Sequence, residues 1–66
     1  MENNMWELML SQNMTAKQLE RLTGISDTHI LRVADGQSVP TVITAYKIAR
    51  ALHSTIEEVF PDPYTK

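Results

Sequence analysis

The sequence predicts an all-α domain of five short helices, and three features predict it. Apolar residues recur at helical spacing, with no segment that alternates as a half-buried strand would. Ser or Thr, the residue types that cap helix N-termini, stands before four of the five apolar runs. The two glycines and three prolines fall between the runs and not inside them.

Met5, Leu8 and Met9 share one helical face and set helix 1 at about residues 4–12. Thr15 and Gln18 form a capping box, in which hydroxyl and amide each satisfy an amide N–H that the helix start leaves orphaned. Met14, just before the cap, is placed to staple onto Leu19. Helix 2 then covers about 16–23, with Ala16, Leu19 and Leu22 or Thr23 inward, and Gly24 stops it. Ile25 is the apolar residue of the turn. Ser26 caps helix 3, about 27–35, which turns Ile30 and Val33 inward and has Gly36 just past its end. Gln37–Pro40 is loop. Thr41 caps helix 4, about 42–52, whose Val42, Ala45, Ile48, Ala49 and Leu52 form an apolar stripe. Ser54 and Glu57 read as a second capping box opening helix 5, about 55–60. There Ile56, Val59 and Phe60 cover the bottom of the core, and Pro61 ends the helix.

Sixty-six residues make one domain, 1–66, with its core in 4–60 and a tail at 61–66. A chain of this size is held by a thin core, with stability of roughly 3–5 kcal/mol. It has no cysteine, so neither a disulfide framework nor a cysteine-based zinc site is available. A hydrophobic share of 42% at a net charge of −2 excludes a disordered chain. The apolar runs are too short to cross a bilayer and no signal peptide is legible, so a cytoplasmic protein without membrane contact is expected. His29 and His53 lack the spacing and company of a metal site. No Ser/His/Asp set, carboxylate pair or phosphate loop points to an enzyme, and no cofactor or small-molecule ligand is expected.

The informative stretch is Thr15 to Gly36, where two helices meet at the tight turn Gly24-Ile25-Ser26. This is helix-turn-helix spacing, which leaves one face of the second helix exposed. The segment Met14-Thr15-Ala16-Lys17-Gln18-Leu19-Glu20-Arg21-Leu22-Thr23-Gly24-Ile25-Ser26 resembles the opening of the Cro and phage-repressor helix-turn-helix family. Pro40-Thr41, Lys47-Ile48-Ala49-Arg50-Ala51-Leu52 and Ile56-Glu57-Glu58-Val59-Phe60 resemble its fourth and fifth helices, so the resemblance runs from about Met5 to Phe60.

The resemblance implies a lambda-repressor-like domain that binds double-stranded DNA as a transcription regulator, with helix 3 in the major groove. It places Asp27, Thr28, Leu31 and Arg32 against base edges. An arginine guanidinium takes guanine O6 and N7 bidentately, a threonine donates or touches a thymine methyl, and a carboxylate accepts only, with cytosine N4 its natural donor. Asp27 is equally well explained as a charge complementing the helix dipole. Thr15, Ala16, Lys17, Gln37, Ser38 and Thr41 fall at the phosphate-contacting places; for the two threonines, capping alone is the alternative.

The sequence departs from the family pattern at three places. A common buried Arg–Glu pair between helices 1 and 3 is replaced by Met9 and Ala34, both partners changed together. Glu20 stands where a small residue is usual, so its carboxylate must reach solvent. Helix 1 carries no basic residue, and the chain as a whole is acidic, with a pI of about 5.5. His29 reads as a solvated helix residue, His53 as a left-handed helix end, and Trp6 as core edge or a helix 1 contact. Ile43, Tyr46, Phe60 and Tyr64 exceed what one thin core needs and form the expected homodimer surface; a tail folded over its own core is the alternative. The competing function is a protein-interaction module on the same fold, an anti-repressor or adaptor, which the acidic balance favours.

Overall fold

The computed structural model describes residues 2–61, and among them all regular structure is helical. Five helices follow in order: α1 (Met5–Ser11), α2 (Ala16–Thr23), α3 (Asp27–Ala34), α4 (Val42–Ala51) and α5 (Ile56–Val59). The expected Tyr64 contact lies outside the described residues.

Local chemistry sets the helix starts. Thr15 Oγ1 accepts the Gln18 N–H at 3.1 Å while Gln18 Oε1 accepts the Thr15 N–H at 2.8 Å, which completes the expected box. Ser26 accepts from the His29 N–H and Thr41 from the Thr44 N–H. The box at α5 sits one residue later than the sequence suggests: Thr55 and Glu58 form it, not Ser54 and Glu57. His53 carries the chain through a left-handed residue at φ 54° after α4, as its type suggests. Ser54 instead donates its hydroxyl to the Leu52 carbonyl.

Gly24 ends α2 at φ 76°. A Cβ there meets nothing within 4 Å, so the requirement is purely conformational. Gly24→Ala is expected to cost about 1 kcal/mol of stability through left-handed strain, and Gly24→Asn less; urea unfolding of the two variants checks this.

The core joins Met5 and Met9 of α1, Leu19 of α2, Ile30, Val33 and Ala34 of α3, Ala45, Ile48 and Ala49 of α4, Leu52, Val59 and Phe60. α2 packs on α3 and on α4, and α4 on α5. Met9 and Ala34 are both buried in this cluster, and among the described residues no polar or charged side chain is buried. Apolar contact has thus taken the place of the family's ion pair, a replacement that is tolerated when both partners go together.

Three expected positions are corrected. Val42 is 59% exposed, because the first residue of α4 stands past the edge of the core, where Pro40 is buried instead. Leu22 is 63% exposed, and Thr23 takes the inward place, its hydroxyl bonded to the Leu19 carbonyl and accepting the Ile25 N–H. Phe60 is 1% exposed; it fills this subunit's own core and has no surface left for a partner.

Side-chain amides fasten α1. Asn4 donates from its backbone N–H to the Val59 carbonyl and from its amide to the Glu58 carbonyl, both at 2.8 Å. The Gln12 amide reaches the Leu52 carbonyl and the Asn3 amide the Val33 carbonyl. Trp6 is half exposed, and its indole N–H donates to Asp35 Oδ1 at 2.9 Å, tying α1 to the end of α3.

Candidate nucleic-acid interface

α3 has two unlike sides. Ile30, Val33 and Ala34 bury one against the core. Thr28, His29 and Arg32 stand exposed on the other, with Leu31 and Asp27 half-buried at its margins. Among the described residues Arg32 has no side-chain hydrogen bond or ion pair, so its five donors are open to a ligand. A helix held this way, with a free guanidinium on its outer side, has the shape and donors that the major groove accepts.

The flanking positions frame this face. Thr15 and Thr41 are exposed caps, and their hydroxyls are already engaged with Gln18 and Thr44. What the starts of α2 and α4 offer is therefore the first-turn backbone N–H groups of residues such as Ala16 and Lys17, which carry the positive end of the helix dipole. Gln37 is exposed and Ser38 half-buried in the loop after α3. The loop is fixed from inside, since the Gln37 and Ser38 N–H groups both donate to the Arg32 carbonyl.

The sequence did not reveal the pair that links the two helices. Lys17 Nζ lies 3.2 Å from Asp27 Oδ2 and 3.6 Å from Glu20 Oε1. The Lys17 hydrogen bond holds the Asp27 carboxyl below its ordinary range, helped by the Lys17 charge and the N–H groups of Thr28 and Asp27, against some desolvation. The Asp27 hydrogen bond and charge, with Glu20 behind them, raise Lys17 in turn. Glu20 does turn its head outward, toward Lys17. Helical i, i+4 reasoning could not find the Lys17–Asp27 contact, because ten residues and a turn separate the partners; opposite charges in the first turns of two helices joined by a tight turn were the only signal.

From α2 through Asp35 the surface carries three cations, Lys17, Arg21 and Arg32, and three carboxylates, Glu20, Asp27 and Asp35. Its formal charges therefore balance. Lys47 and Arg50 lie elsewhere, on α4, where the Arg50 guanidinium donates to the Tyr46 hydroxyl and stands 5.7 Å from its ring centroid. Among the described residues no group of three or more His, Cys, Asp or Glu is placed to hold a metal ion, and no helix is long and apolar enough to cross a membrane.

No curated protein matches the chain in sequence. A family model described as helix-turn-helix matches residues 7–59, most of the chain and all of the paired helices described above. The match spans α2, the Gly24 turn and α3, and the chain belongs to the helix-turn-helix family of the Cro and phage-repressor type, a family of DNA-binding regulators.

Proposed function

We propose that the protein is a cytoplasmic transcription repressor that binds DNA as a homodimer and reads the major groove with the outer side of α3. The observation that carries this reading is the division of α3 into a buried side and an exposed side on which Arg32 has no side-chain partner among the described residues. In this reading Arg32 takes a guanine, Thr28 and Leu31 meet neighbouring base edges, and Asp27 accepts from a cytosine amino group. The first turns of α2 and α4, Thr15, Ala16, Lys17 and Thr41, hold phosphates together with Gln37 and Ser38.

Exposed apolar residues on and just before α4 support the dimer. Val42, Ile43 and Tyr46 of α4 and Val39 in the loop before it are exposed large apolar residues without cover from the described residues. Pairing through this face in place of Phe60 gives two recognition helices about 34 Å apart on a two-fold site, one turn of DNA.

The balanced charge of the α2–α3 surface favours a second reading, the same fold used to bind a protein. Titration of the protein with a labelled mixed-sequence duplex at low salt separates the two. Salt-sensitive binding, followed by selection of one preferred site from random DNA, supports the repressor. Absence of binding at low ionic strength favours the interaction module. Sedimentation that finds only monomer at tens of micromolar, with and without DNA, removes the homodimer.

A further inference from the structure

We infer that Asp27 is a specificity-determining residue that acts through Lys17, holding back the ammonium from the phosphates of unselected DNA. The inference rests on the DNA-reading role proposed for α3.

The geometry is a bridge between two helix starts. Lys17 lies in the first turn of α2 and Asp27 in the first turn of α3, 3.2 Å apart across the helix-turn-helix. The Lys17 side chain is 77% exposed and the Asp27 side chain 32%, so the lysine is free to swing while the carboxylate is held in place. Glu20, the other partner, shares α2 with Lys17 and sits farther off at 3.6 Å.

Docking brings phosphates to the start of α2 in any duplex, whatever its sequence. A phosphate that engages Lys17 must displace the Asp27 carboxylate, which then keeps its negative charge on a surface facing the DNA strands. A base donor at the start of α3, such as a cytosine amino group, compensates that carboxylate; a duplex without one does not. The pair therefore weakens sequence-independent binding more than binding to a matched site. In an acidic protein with few interface cations, withholding one of them has a large relative effect, because each neutralised phosphate contributes about 0.9 to the salt slope.

The test is a double-mutant cycle of Asp27→Asn and Lys17→Ala, with Glu20→Gln as a control. Affinity for a mixed-sequence duplex and for the preferred site is followed by fluorescence anisotropy between 50 and 200 mM salt. Asp27→Asn is expected to tighten mixed-sequence binding on the order of 5-fold near 0.1 M salt and to steepen the slope by up to about 0.9, one more phosphate neutralised. The preferred site gains less, so the ratio between the two duplexes narrows. In the Lys17→Ala background both changes vanish, and Glu20→Gln alone gives a smaller effect than Asp27→Asn. Unchanged affinity and slope in Asp27→Asn overturn the inference while leaving the DNA reading intact. So does an equal effect with Lys17 absent, which makes Asp27 a direct repeller of phosphate. Failure of every form, wild type included, to bind either duplex at low salt removes the DNA reading and this inference with it.

Discussion

Phe60→Ala is expected to bring the protein to the edge of unfolding at 25 °C, with about half of the molecules open. Phe60 is the largest of the fully buried side chains, 1% exposed, and it closes the core beneath α4 and α5. Truncating a buried phenylalanine to alanine costs about 3–5 kcal/mol, the lost transfer term plus the cavity left behind. A chain this short has a total stability of only roughly 3–5 kcal/mol, so the loss matches the whole. The backbone adds little to resist it. α5 is a single turn of four residues, and the Phe60 N–H to the Ile56 carbonyl is one of its few bonds. Far-UV circular dichroism on heating is the check: a cooperative melt within a few degrees of wild type contradicts the packing described above.

The second large effect concerns recognition. Arg32→Ala is expected to weaken binding to the preferred site by about 1–3 kcal/mol, roughly 5- to 150-fold, the usual contribution of a bidentate base contact. Stability should stay within about 0.5 kcal/mol, since the side chain is exposed and has no partner among the described residues. Arg32→Lys separates charge from geometry. An ammonium keeps the positive charge but not the planar fork, so preference for the selected site should fall while the salt slope is kept. Equal affinity of Arg32→Ala and wild type for the preferred site would remove Arg32 from base readout.

What the sequence made legible was local. The caps at Thr15, Ser26 and Thr41 and the left-handed Gly24 and His53 each depend on a few neighbouring residues, and each is where its residue type indicated. The buried side of α3 followed from spacing alone. Features set by tertiary geometry were not legible. Nothing in its own periodicity separates Val42 from Ala45, and only the edge of the core leaves the first exposed. Phe60 read both as core and as surplus, because the volume it fills belongs to a cluster assembled from distant parts of the chain. The amide ties of Asn3, Asn4 and Gln12 join residues 30, 54 or 40 positions apart, and polar side chains flanking a short helix give no hint of such reach. Asn13, at φ 52°, carries the chain out of α1, a role that asparagine tolerates but that its type alone does not announce. Between the starts of α2 and α3 the sequence showed opposite charges, but not the Lys17–Asp27 bridge that joins them.

The exchange of the family's buried ion pair for Met9 and Ala34 has a consequence for the response of this protein to acid. Acid unfolding draws on carboxylates that are paired or hydrogen-bonded in the native state and on buried ionisable groups. Among the described residues no charged side chain is buried, so the interior itself adds nothing to that response. Asp27 is different in kind: its lowered folded value favours the native state at neutral pH, and that small surface contribution fades as pH falls through the lowered value. Protonation there removes the charge that holds Lys17, so acid below the ordinary carboxylate range loosens the tie between the starts of α2 and α3.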